Sequence, residues 1–168
     1  MKHLYFIGGP MGVGKTTVSQ ILKKRLPKAV MLDGDWCWDA DPFVVTDETK
    51  KMVIENIVFL LNQFIHSSAY EHIIFCWVMH QQEIITDILS RLDRKDVELH
   101  NFSLICSQEN LAIRLGKDVV DGVREESVIV RAMARLPLYD KLFTMKVNTD
   151  GMTAEDAAER ILLMSGTL

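Results

Sequence analysis

The sequence predicts an α/β fold in which one parallel sheet is covered by helices on both faces. Short runs that are apolar throughout alternate with longer segments whose apolar residues recur every three to four positions. A continuously apolar strand is one buried on both sides, as in a parallel sheet between helix layers. No linker, repeat or low-complexity stretch breaks this alternation over 168 residues, the size of one domain. A chain of that length buries roughly 70% of the surface its unfolded form exposes. With 48% hydrophobic and 25% charged residues, it can form a core without disulfides or metal.

Leu4 to Ile7 reads as the first buried strand, ended by Gly8-Gly9-Pro10. The first helix runs from Lys15 to Leu26, with Val18, Ile21, Leu22 and Leu26 on one face and Pro27 stopping it. Ala29 to Leu32 is the second strand and enters an acidic, Trp-rich loop, Asp33 to Pro42. Thr46 caps the next helix, which carries Asp47 and Glu48 in its first turn, where the helix dipole favours acids. Two apolar rows on that helix, Val53/Ile57/Leu60/Phe64 and Ile54/Val58/Leu61/Ile65, predict cover on more than one side. Ile73 to Met79 is the third strand, followed by a helix from Gln82 to Leu92. Leu99 to Cys106 is the fourth, after which Ser107 caps a helix bearing Leu111 and Leu115. Gly116 to Val123 is polar and glycine-punctuated, and Glu125 to Leu136 is helical again. Met145 to Asn148 is the fifth strand, and Thr153 to Asp156 opens the last helix as a capping box with Asp in place of Glu or Gln.

Composition narrows the function classes. Net charge is −4 with Lys and Arg dispersed, which disfavours a nucleic-acid partner. Cys37, Cys76 and Cys106 are widely spaced and odd in number, neither a disulfide framework nor a zinc site. Together with the lack of a signal-peptide pattern and of any apolar run long enough to span a bilayer, they lead us to expect a cytoplasmic protein without a membrane partner. Oligomeric state leaves no mark in the sequence.

The most specific motif is Gly9-Pro-Met-Gly12-Val13-Gly14-Lys15-Thr16, which fits GxxxxGK[ST]. Chance would give such a match on the order of once in 200 chains of this length, and here it lies between a strand and a helix, the context the motif requires. Glycines let the backbone wrap an anion, and successive N–H groups with the helix N-terminus point at phosphates. The expected ligand is ATP with Mg²⁺. Its site would comprise Gly9, Gly12, Val13, Gly14, Lys15, Thr16 and Thr17, with Lys15 between the β- and γ-phosphates and the Thr16 hydroxyl on the metal.

The second strand ends in Asp33-Gly34-Asp35, at the sheet edge where ligands of open α/β folds collect. Carboxylates there can accept a substrate hydroxyl proton, hold substrate hydroxyls or orient water on a metal. They can also simply shape the turn.

A phosphate loop, a short helix and a strand ending in Asp-x-Asp resemble the P-loop small-molecule kinases of the nucleoside monophosphate kinase class. Shikimate kinase, gluconate kinase and chloramphenicol phosphotransferase belong to that class. The resemblance covers nearly the whole chain in element order, with the phosphate loop as its one highly specific motif. It implies a three-layer α/β/α P-loop NTPase fold, a five-stranded parallel sheet in the order 2-3-1-4-5, and a short lid at about 116–126. It further implies Asp35, and less directly Asp33, as the groups meeting the acceptor, and Arg124 as the lid residue reaching the transferred phosphate. A guanidinium suits that task, because phosphoryl transfer depends on positioning and charge neutralisation. Arg114 precedes the lid as a nucleotide contact, and Arg131 shares a helix face with Arg135 behind it. One of that pair would face the nucleotide or substrate and the other would pair with acids. One departure from the pattern is the lack of an acid on the third strand, where a Walker-B Asp would help hold Mg²⁺. Asp35 with waters would complete the shell instead, since Mg²⁺ needs few protein ligands.

Softer candidates are Trp36 and Trp38, to stack on a ring or pack under the second helix, and His80 as a polar substrate contact or helix cap. Asp39 and Asp41 do not fit a calcium loop. The expected activity is transfer of the γ-phosphate of ATP to a hydroxyl or phosphate of a small metabolite or nucleotide. An antibiotic-modifying phosphotransferase would use the same parts with Trp36, Trp38, Phe43 and Trp77 around a hydrophobic acceptor. A regulatory ATPase or switch, or a binding module without catalysis, stays open. A GTPase is disfavoured by the lack of NKxD and DxxG motifs.

Overall fold

A computed structural model of the chain describes residues 1–167. Its strands are β1 (Lys2–Gly8), β2 (Ala29–Asp33), β3 (His72–Cys76), β4 (Val97–Ile105) and β5 (Met145–Asn148). Its helices are α1 (Lys15–Arg25), α2 (Asp47–His66), α3 (Gln82–Ser90), α4 (Gln108–Val120), α5 (Ser127–Arg135) and α6 (Ala154–Ser165). The strands form one parallel sheet in the order β2-β3-β1-β4-β5, as the resemblance implies.

Strand β1 is the middle strand, paired on both sides, and its side chains alternate between two cores. Leu4 and Phe6 join Val53, Ile57, Leu61, Ile85 and Ile88 of α2 and α3 on one face. Tyr5 and Ile7 join Val18, Leu22, Leu111, Leu115 and Ile161 of α1, α4 and α6 on the other. Burying both faces requires the unbroken hydrophobicity read from the sequence. The caps also form as read: Thr46 with Thr49, Ser107 with Asn110, and Thr153 with Asp156.

Three boundaries differ from the sequence reading. On α2 only Val53, Ile57, Leu61 and Ile65, two from each row, are fully buried, while Ile54, Val58, Leu60 and Phe64 are half-buried and Phe59 is exposed. The helix covers the β2 edge of the sheet, so its outer side meets solvent rather than a second layer. β3 ends at Cys76 rather than Met79. Beyond that end the Trp77 N–H still donates to the Ile7 carbonyl at 3.3 Å, but its ring packs on Gly34 of the β2–α2 turn, Met79 joins the core under α2 and α3, and the Val78 carbonyl accepts from Tyr139. Finally, the segment 116–126 is helical up to Val120, so the loop between α4 and α5 is only 121–126. Buried Leu111 and Leu115 carry the helix through Gly116, at a propensity cost of about 1 kcal/mol. It stops at Asp121-Gly122, where the left-handed Gly122 lets the next N–H groups turn back onto the helix carbonyls.

Candidate active site at the phosphate loop

The carboxyl ends of β1 and β2 meet at the start of α1. Gly14 caps that helix in a left-handed conformation (φ 104°, ψ 19°) with no side-chain acceptor. The first-turn N–H groups therefore lack side-chain partners and form an anion site. No protein atom lies within 4 Å of the position a Gly14 Cβ would take, so the concavity beside it is open. Lys15 folds back, its Nζ donating to the Pro10 carbonyl at 2.9 Å. Burial lowers its pKa to about 8, the Arg124 charge acting the same way and those of Asp35 and Asp33 opposing.

The Thr16 hydroxyl donates to Asp33 Oδ2 at 2.7 Å, and the other oxygen of Asp33 accepts from the Asp35 amide at 3.0 Å. Asp33 is 5% exposed and stands in register with Cys76 of β3. A buried carboxylate thus sits one strand over from the place where β3 lacks an acid. Two hard oxygen donors at this spacing fit a Mg²⁺ ion that keeps its remaining waters. The sequence reading put Asp35 with Thr16 on the metal; the structure instead brings Asp33 to Thr16. The Cys76 thiol is pushed up to about 12 by burial and by the Asp33 charge, and stays protonated.

Asp35 lies in the tight 3-10 turn Gly34–Cys37 and accepts from Trp77 Nε1 at 3.2 Å. Burial, with the Asp33 charge, raises its pKa, while Lys15, the Trp77 N–H and Arg124 pull it back. The Trp77 ring lies against Gly34, where a Cβ would come within 2.4–2.8 Å of it. Glycine between the two aspartates is therefore a packing requirement, and Trp77 is a positioning residue whose hydrogen bond no sequence motif announced. Beyond Asp35, Trp36 is 57% exposed, and Trp38 packs on Phe43 with ring centroids 4.5 Å apart. With Pro42, Val44, Met52 and Asn56, Trp36 and Trp38 line a cleft of about 500 Å³ whose one charged lining residue is Asp39.

The remaining candidates divide clearly. Arg114 donates to the Val13 carbonyl (3.0 Å) and to Thr149 Oγ1 (3.4 Å), and with Gly14, Thr17, Thr149 and Met152 it borders a second hollow of about 180 Å³. Nothing in the sequence singled out Thr149; it enters because β5 delivers it next to β4, where it bonds Ile105. Val13 is buried and Thr17 exposed at the mouth of that hollow. Arg124 is half-buried and held by Asp118 at 2.9 Å, close enough for its charge to act on Lys15 and Asp35. Arg131 is exposed, and among the described residues neither it nor Arg135 makes an ion pair, contrary to the pairing with acids read from the sequence. Arg135 turns inward, where its charge adds to burial in lowering the His80 pKa. His80 does not cap α3, whose N-cap is Gln81; its buried Nδ1 has no protein partner.

A family model described as an AAA domain matches residues 6–129. Among solved structures, a tunicamycin resistance protein of Deinococcus radiodurans matches with TM-score 0.77 at 22% identity, over 99% of this chain and 96% of that one. A gluconokinase from Sinorhizobium meliloti 1021 matches with TM-score 0.71 at 15% identity, over 98% and 92%. A shikimate kinase from Acinetobacter baumannii in complex with shikimate matches with TM-score 0.62 at 21% identity, over 100% and 96%. At these identities the likeness is one of fold, shared with the P-loop small-molecule kinases. No curated protein matches in sequence. Among the described residues, no helix is long and apolar enough to cross a membrane.

Proposed function

The chain belongs to the AAA domain family, and from that premise we propose that it is an ATP-dependent phosphotransferase acting on a hydroxyl of a small molecule. The observation that carries this reading is the pair of carboxylates after β2. Asp33 is bonded to Thr16, and Asp35, its pKa raised, immediately precedes Trp36, which lines the aromatic cleft. A γ-phosphate bound at Gly12 to Thr16 has Lys15 beside it, and an acceptor in the cleft presents its hydroxyl to Asp35. A raised pKa brings Asp35 nearer working pH, where a general base is more effective. Lys15 and Arg124 neutralise the charge on the moving group. Mg²⁺, when bound at Thr16 and Asp33, supplies further charge neutralisation.

The cleft favours one kind of acceptor. No Lys or Arg lines it, and Lys50 and Lys51 of α2 are turned outward toward Asp47 and Glu55. An acceptor carrying phosphate or carboxylate would find no counter-charge there, whereas a neutral hydroxyl compound with an apolar or ring face would find Trp36, Trp38 and Val44. Among the matching structures named above, the name of the tunicamycin resistance protein points to a drug-like compound, which supports the antibiotic-modifying reading over phosphorylation of an anionic metabolite.

The test is a panel of neutral and anionic hydroxyl compounds scored for stimulated ATP consumption, with mass analysis of products. Phosphorylated neutral acceptors are expected. ADP with no phosphorylated product across the panel would favour a regulatory ATPase. Lys15→Ala should abolish turnover, and Asp35→Asn should remove transfer while leaving nucleotide affinity largely intact; wild-type transfer by Asp35→Asn would refute the base assignment.

A further inference from the structure

At the end of the sheet opposite the phosphate loop, three imidazoles stand side by side on adjacent strands. His72 of β3 and His3 of β1 are register partners, and His100 of β4 is the partner of Tyr5, one pleat repeat further along. His3 lies between the other two, with ring planes 9° from His72 and 13° from His100. His3 Nδ1 is 3.1 Å from His100 Nε2 and 3.4 Å from Glu98 Oε2. Its ring centroid is 5.4 Å from that of His100, so the two rings meet nitrogen to nitrogen, edge on, rather than face to face.

This grouping is poorly served by protons. The Glu98 carboxylate only accepts, so His3 Nδ1 must carry a proton to bond it, and His100 Nε2 then competes for the same N–H. A cation placed among them would take all three lone pairs at once. Two imidazoles and a carboxylate form a zinc-type donor set. Tetrahedral bonds of about 2.0–2.1 Å place ligand atoms roughly 3.4 Å apart. The three donor atoms here lie within 4.8 Å of one another, with two of the edges at 3.1 and 3.4 Å.

We propose that His3 Nδ1, His100 Nε2 and a Glu98 carboxylate oxygen bind a divalent transition-metal ion of the zinc class, with a fourth position open to water. The surroundings suit it. His72 is fixed by its Nδ1 donating to the Pro27 carbonyl at 2.8 Å, and its ring holds His3 in place. His3 and Glu98 remain 22% and 45% exposed in their side chains, which leaves an entry path. The ion would clamp β1 to β4, at the far end of the strand that leads into the phosphate loop.

The test is titration of the untagged, chelator-treated full chain with Zn²⁺ alone at pH 7.5, followed calorimetrically. Imidazole ¹⁵N shifts identify the ligating nitrogens. The expected result is one ion per chain, with changes at His3 Nδ1 and His100 Nε2 and none at exposed His66. Thermal midpoint should rise with Zn²⁺ concentration, since the metal binds the folded form. His3→Ala and Glu98→Gln alter half-exposed side chains and should each weaken binding at least tenfold, whereas Asp33→Asn should leave it unchanged. Absence of binding by the wild type overturns the site. So does undiminished binding by both His3→Ala and Glu98→Gln, or loss of binding in Asp33→Asn, which would place the metal at the phosphate loop.

Discussion

Nucleotide binding should be linked to protonation of Lys15, and the structure sets both sign and size. In the free chain its pKa is about 8, against an ordinary 10.5, because burial disfavours the charged form. Phosphates at Gly12 to Thr16 would reverse that preference and return the pKa to 10.5 or above. Between pH 8 and 10.5 the free lysine is largely neutral and the bound one charged, so each binding event takes up a proton. Uptake should be about 0.2 protons at pH 7.5 and about 0.9 at pH 9. Affinity should fall by up to about tenfold per pH unit above 8. The ligand-free chain has the opposite slope. Its folded form binds fewer protons than its unfolded form between pH 8 and 10.5, so its stability rises with pH there. Calorimetric titration with a non-hydrolysable ATP analogue, in buffers of differing ionisation enthalpy, measures the uptake directly. The terminal phosphate titrates at about pH 6, below the window. A dissociation constant that is flat from pH 7.5 to 9.5, with no proton uptake at pH 9, would refute the reasoning. Lys15→Met should bind weakly and show no pH dependence.

Three further outcomes follow from the β2–β3 junction. Gly34→Ala places a methyl group within 2.4–2.8 Å of the Trp77 ring, so it should cost about 1–3 kcal/mol in chemical denaturation; an unchanged midpoint would show that Trp77 moves freely. Trp77→Phe removes the N–H that lowers the Asp35 pKa, so the acid limb of the activity–pH profile should move to higher pH. That limb reflects loss of the ionised carboxylate as pH falls, and an unmoved limb would dissociate Asp35 from it. Asp33→Asn should raise the Mg²⁺ concentration needed for half-maximal turnover by tenfold or more, while chelation of Mg²⁺ should abolish wild-type turnover; an unchanged Mg²⁺ dependence in the variant would remove Asp33 from the metal site.

Local patterns were legible and long-range meetings were not. The phosphate loop, the three capped helices and the presence and order of the five strands along the chain are encoded within windows of a few residues, so the sequence reading and the structure agree on them apart from the end of β3. The Asp33-Gly34-Asp35 turn was visible too, but its division of labour was not. Only the pairing of β2 with β3 brings Trp77 to Asp35 and Cys76 opposite Asp33. Arg114 was singled out by position, yet its bond to the Val13 carbonyl spans 101 residues. The 116–126 segment misled because glycine and charge read as loop, while burial of Leu111 and Leu115 kept the helix going. The histidines of the far edge, at positions 3, 72 and 100, have no common sequence signature at all. They become neighbours only through the strand order.

The seven residues of β1 separate that edge from the phosphate loop by a fixed length of backbone, and this makes the strand a ruler. Each residue adds about 3.3 Å and turns the next side chain to the opposite face. One residue inserted between His3 and Tyr5 would send Tyr5 and Ile7 into the compartment of α2, and Phe6 into that of α1, while both flanking strands hold the old register. Two inserted residues would restore the faces but carry Gly9 to Thr16 about 6.6 Å past the end of β2, out of reach of Asp33. Length changes in the chain should therefore be absorbed at 121–126, where the backbone turns in solvent, and not in the central strand.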